Sequence, residues 1–189
     1  MRRLFSALCA TLLMLGGGAA SAQSAAPHPL EAHMAHHLTG SARWRSPNPA
    51  FRPGDERRPQ EFGVSWRWGA NRQHLIGEVT GHYADGRTAQ YHTIYVFYDP
   101  VSKQVLTQQI GWDGSYLSGS SQLRAQTLAP GQTETIDMTV RPMQGDPSEN
   151  RHEVTPLDAE SLLTRVYVRS PGEEWRLEST STWRLRQAD

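Results

Sequence analysis

At 189 residues, with 19 basic and 19 acidic side chains, the chain has no net formal charge. It therefore offers no field to gather nucleic acid or an acidic membrane surface, and a nucleic-acid partner is excluded on that ground. The single cysteine, Cys9, lies in an N-terminal leader, so residues 23–189 hold no thiol for a disulfide, a thiolate metal site or a cysteine nucleophile.

Met1-Arg2-Arg3, an apolar run from Leu4 to Leu15, and Ala20-Ser21-Ala22 form the three parts of a signal peptide over residues 1–22, cut after Ala22. The run is shorter than the roughly 20 residues needed to span a bilayer, so no transmembrane segment is expected after cleavage. Because Cys9 sits inside the run and not after it, lipid attachment is not indicated. A periplasmic or secreted protein is expected, with a flexible leader and short helix over residues 23–37 and one domain over 38–189. That length is enough for a single core without staples.

Leu30, Met34, His37 and Leu38 recur at helical spacing, and Thr39-Gly40 closes the pattern. Ser46 to Pro59 holds Pro47, Pro49, Pro53 and Pro59 among charges and reads as a surface loop. From Phe62 the period becomes two. Phe62, Val64, Trp66 and Trp68 alternate with Gly63, Ser65 and Arg67. Leu75, Val79 and Tyr83 share a face, and Asp85-Gly86 supplies a hairpin turn before an apolar strand from Thr88 to Tyr98. Val105 to Trp112 and Tyr116 to Leu128 read as two further strands, with Asp113-Gly114 between them and Ala129-Pro130-Gly131 at the end. Ile136, Met138 and Val140 mark a half-buried strand, and Gly145 to Asn150 a polar loop. Leu162, Val166 and Val168 mark the next strand. In the last, Trp175, Leu177, Ser179, Ser181, Trp183 and Leu185 share one face.

So many short strands with regular turns predict an all-β domain, either an open sandwich or a closed barrel. The expectation is a single up-and-down antiparallel β-barrel with a short N-terminal helix, since closure removes exposed sheet edges.

A short helix leading into Leu38-Thr39-Gly40-Ser41-Ala42-Arg43-Trp44, with the later segment Thr93-Ile94-Tyr95-Val96-Phe97-Tyr98-Asp99-Pro100, resembles the calycin superfamily. More specifically, it looks like the uncharacterised secreted bacterial families with a lipocalin-like fold. That resemblance implies a small apolar or amphipathic ligand, or none, and a basic residue of the last strand, Arg184 or Arg186, over Trp44. Haem-binding relatives use a histidine near the C-terminal strand as iron ligand. The last histidine here, His152, is placed in or near a loop well before that strand, so no cofactor is carried over.

His33, His36 and His37, with His28 nearby, form the most conspicuous cluster. On a helix, residues 33 and 37 lie one turn apart as paired zinc ligands do, but Met34 stands where a zincin carries glutamate. Histidines at helical spacing beside a loop are more often a solvated face or a polar lid over a barrel end, and no metal site is assigned. Trp66, Trp68, Tyr95, Trp112 and Tyr116 are the candidate ligand-binding residues, since aromatics with polar tips suit a pocket that is apolar inside and wet at its mouth. Plain core packing is the competing account. Ser179 and Ser181 put small side chains mid-strand and favour a cavity. No G-x-S-x-G elbow or phosphate loop occurs, and Glu78, Asp137 and Glu178 fall on polar faces. Three readings stay open: a ligand-binding barrel, a filled barrel with a structural or partner-binding role, and an enzyme that pairs His92 or His74 with a carboxylate in the barrel mouth.

Overall fold

The structure is a computed structural model that describes residues 27–39 and 43–186. The leader with Cys9, residues 23–26, the glycine of the helix stop and the three C-terminal residues lie outside that set.

Ten strands form one closed antiparallel barrel. They are β1 (Arg43–Pro47), β2 (Glu61–Trp68), β3 (His74–His82), β4 (Thr88–Asp99), β5 (Gln104–Gly111), β6 (Tyr116–Gln122), β7 (Glu134–Arg141), β8 (Ser148–Pro156), β9 (Ser161–Arg169) and β10 (Arg176–Leu185). Each strand pairs with its neighbours in sequence, and β1 closes the ring against β10 through Trp44 opposite Leu185. Residues 48–60 form the proline-rich loop. Gly86, with φ of 84°, occupies the hairpin turn in the left-handed region that glycine adopts without strain. Among the described residues no helix is long and apolar enough to cross a membrane.

Three elements differ from the sequence reading. β6 stops at Gln122, and residues 123–133 run as a connection across one end of the barrel. The segment read as a polar loop contributes the start of β8, a strand with no hydrophobic alternation to betray it. Its Glu149, Arg151 and Glu153 lie opposite Arg169, Tyr167 and Arg165 of β9 on the outer face. Asn150, His152 and Val154 therefore turn inward. In β10 the register shifts between Leu177 and Ser179. This bulge spends one residue and reverses the facing of what precedes it. Ser179, Ser181 and Trp183 point inward as expected, whereas Leu177 is 51% exposed. Trp175 lies outside the barrel between two guanidinium groups, Arg151 at 4.5 Å and Arg169 at 4.3 Å.

A helix α1 (Pro29–Met34) plugs one end of the barrel. His28 caps it, its Nδ1 accepting from the Leu30 N–H at 3.2 Å, and Pro29 stands in the first turn where no N–H is needed. Leu30 and Met34 enter the barrel and join Leu75, Ile94, Val96 and Val105 in the buried core, with Trp68, Tyr98 and Leu123 packed around them. These partners sit at the end of β2, β4 and β6 and the start of β3 and β5. The helix thus marks one pole, and the turns after β1, β3, β5, β7 and β9 ring the opposite mouth. Arg72 fastens the plug by pairing with Glu31 and stacking on Trp68 at 4.8 Å. Trp44 is fully buried beside the plug, its Nε1–H donating to the His37 carbonyl at 3.1 Å. The ring stacked on Trp44 belongs to His36, with centroids 5.8 Å apart, while Arg184 lies on the exposed side of β10.

Candidate functional site

Above the helical plug the barrel is hollow. The cavity measures about 300 Å³. Its wall is mostly aliphatic, with Val64, Val79, Ile94, Val96, Val105, Ile136, Val154, Leu162 and Val166 among the inward residues. Strand pleating explains the set, since every second residue of each strand must turn inward. Small residues make the room. Gly77 faces Trp66 so closely that a Cβ there would fall 2.8 Å from the indole. Ser179 and Ser181 leave the β10 wall low beside Trp183.

Set into this apolar wall are polar side chains from several strands. Thr107 and Gln109 come from β5, Thr164 from β9, His92 from β4, His152 from β8, and the indole of Trp66 from β2. Three buried nitrogens here have no hydrogen-bond partner: Trp66 Nε1, His92 Nδ1 and His152 Nε2. Burial pushes the His152 imidazole down to about 4, with the nearby His92 adding to the effect. Burial also lowers His92, opposed by the charge of Asp113. Both rings are thus uncharged at neutral pH.

The floor is charged but internally compensated. Glu134 opens β7 and is 8% exposed. Its Oε2 accepts from Arg124 at 2.6 Å, while its Oε1 lies 3.2 Å from His33 Nε2, a close contact at an angle short of a hydrogen bond. Burial alone would raise this carboxyl, but His33 and Arg124 outweigh it and hold the group at about 2. The Arg124 backbone N–H donates to His33 Nδ1 at 3.3 Å, and its guanidinium donates to the His33 carbonyl at 2.7 Å. Because Nδ1 accepts, the ring proton of His33 lies on Nε2, facing Glu134. His37 completes the floor against Trp66, centroids 5.4 Å apart, and burial brings its imidazole down to about 4. Of the N-terminal histidines His33 is buried, while His28, His36 and His37 are partly buried around the plug. Among the described residues no three metal-ligating side chains are gathered into one group.

Of the five aromatics singled out in the sequence, Trp66 lines the cavity. Trp68 shares its face but lies one step nearer the plug, packed on the core and edge-on to His28 at 5.3 Å. Tyr95 alternates with the inward Ile94 and Val96 and stacks on the outer wall with Phe97. Trp112 stands at the β5–β6 turn with 74% of its surface exposed. Tyr116 pairs with Ile110 and Arg141, both exposed, on the outer side of β6. Trp112 falls in the turn, outside any strand, and one reason covers Tyr95 and Tyr116. Aromatic residues suit either face of a sheet, and only register decides which one they occupy.

Glu134 and His152 were missed in the sequence. Glu134 precedes the apolar alternation of β7, and His152 sits in a segment too polar to resemble a strand. The signal that would have found His152 is its even spacing with Val154. As for an acid–base pair, His74 stacks on Phe97 at 5.3 Å on the outer wall, away from the cavity. His92 faces the cavity, and its Nδ1 is held by no carboxylate. No family model matches the chain, and no curated protein matches its sequence.

Proposed function

We propose that this chain is an exported binding protein, working in the periplasm or outside the cell, that encloses one small apolar or amphipathic molecule in its barrel. The observation that carries the reading is the cavity of about 300 Å³, walled by aliphatic side chains yet holding unpartnered nitrogens of Trp66, His92 and His152. Apolar wall with a few orienting polar groups is the usual makeup of a small-molecule site, and this volume lies at the lower end of the usual range. Buried polar atoms rarely go unpaired in a native protein, so these three speak for an occupant. A filled barrel would have consumed the space with side chains. The leader over residues 1–22 and the likeness to secreted lipocalin-like families support export and a ligand-carrying role.

The test is a thermal-shift and tryptophan-fluorescence titration of the purified protein with small aromatic and branched aliphatic compounds. A ligand at a hundred times its Kd should stabilise the fold by about 2.7 kcal/mol and raise the melting temperature by several degrees. Replacing Trp66 with Phe should weaken the thermal shift and reduce the fluorescence response, with Trp183 of the same lining still reporting. A panel that leaves the melting temperature unchanged throughout would overturn the proposal.

A further inference from the structure

Resting on that binding reading, we propose that the cavity selects by charge, taking compact molecules that carry no ionised group and refusing carboxylates and ammonium ions of the same shape. Among the described residues that line it there is no lysine or arginine. Its wall is aliphatic for the most part, and Thr107, Gln109 and Thr164 are its uncharged hydrogen-bonding groups. A carboxylate moved into such surroundings loses its water and meets no cation. That costs far more than burying a neutral group of equal size.

Glu134 is the one carboxylate at the cavity, and its charge is already answered. Arg124 binds its Oε2 at 2.6 Å. The other oxygen, Oε1, has no hydrogen-bond partner, but it faces His33 Nε2 at 3.2 Å and retains almost no accessible surface. An ammonium in the cavity would therefore gain no direct contact with it. Arg124 lies behind Glu134 on the connection after β6, also donates to the His33 carbonyl at 2.7 Å, and does not border the space. Carboxylate and guanidinium cancel, so the floor offers neither kind of ion a counter-charge. The imidazoles offer none either. His33 accepts from the Arg124 N–H on Nδ1 at 3.3 Å, which leaves it a single ring proton and no charge. Burial holds His37 and His152 at about 4 and lowers His92, so these rings too are uncharged at neutral pH.

The deciding experiment is calorimetry on the purified protein at pH 7.5 with three compounds of nearly one shape: 4-methylacetophenone, 4-methylbenzoate and 4-methylbenzylammonium. The uncharged ketone should bind at least about tenfold tighter than either ion. Gln109→Lys sets a cation into the lining near the end of β5. It should reduce the ratio of ketone to benzoate affinity by about tenfold. The comparison on the unmodified protein decides even if that variant fails to fold. A smaller gap for either ion would overturn the charge selection and leave the binding reading standing. If only the wider panel responds, the charge of its tightest binder decides in the same way. No binding of any of the three, with no response to the panel, would remove the binding reading and this inference together.

Discussion

His152 and His37 are the most strongly shifted imidazoles of this molecule. Both imidazoles are held near 4 in the fold, against an ordinary value of 6.5, and the surface His152 retains faces the cavity. The unfolded chain therefore takes up protons between about pH 6.5 and 4 that the folded barrel refuses, so stability falls as pH drops through that window. At 1.36 kcal/mol per unit, each ring contributes on the order of 3 kcal/mol at most. Urea midpoints measured from pH 7.5 to 4 should decline, and His152→Leu should flatten the decline. Glu134 acts lower down. Its depressed pKa of about 2 gives stability that is present above its ordinary 4.5 and is lost between there and about 2. Glu134→Gln leaves Arg124 without its counter-charge in a mostly buried site. It should cost about 3 kcal/mol in denaturant unfolding, the usual penalty for breaking a buried pair from one side.

At the scale of elements, the plug and the bulge do most to shape the cavity. The plug is a helix of only six residues, too short to be stable alone, so its order derives from packing and from His28, Arg72 and Arg124. Leu30 is fully buried, and Leu30→Ala should destabilise by about 2–5 kcal/mol. If the plug is loosened without global unfolding, dye binding to the opened cavity floor should rise while far-ultraviolet circular dichroism holds. Trp112 gives the contrast. With 74% of its surface exposed, Trp112→Ala should stay within about 0.5 kcal/mol of the parent. The sheet wall tolerates less. A methyl at Gly119 would sit 2.2 Å from the Asp137 carbonyl oxygen, and because backbone cannot rotate away, Gly119→Ala should lower the melting temperature by several degrees.

For the whole molecule, closure is the decisive event. β1 and β10 lie at opposite ends of the described chain and meet through Trp44 opposite Leu185 and Arg45 opposite Arg184. Contacts of such sequence separation form late and slowly, so refolding in the millisecond-to-second range is expected by stopped flow. A chain ended at Ser170 would lack β10 and expose the edges of β1 and β9. It should aggregate and show no cooperative unfolding transition. Outside the barrel, Arg151 grips Asp137 through two bonds of 2.7 Å, and Trp175 lies against Arg151 and Arg169. This charged outer wall over β7–β10 lets strands pair without an apolar outer face.

The sequence alone determined the strand-rich architecture and most strand positions, because period-two alternation and turn residues are local physics legible in any window of ten residues. It also placed Ser179, Ser181 and Trp66 on an inward face, although the run holding Ser179 and Ser181 is broken before Ser179 and its earlier members Trp175 and Leu177 lie outside. What only the tertiary structure decided was the side of the wall taken by Tyr95, Tyr116 and Trp175, and the existence of β8. Which face of a strand is interior depends on register against a neighbour, and one bulge between Leu177 and Ser179 inverts it. A polar strand such as β8 is stabilised by backbone pairing on both sides, which no local pattern reveals. The cavity itself follows from closure, because residues as distant as Trp66, His92 and His152 share a space only once the ring of strands is complete.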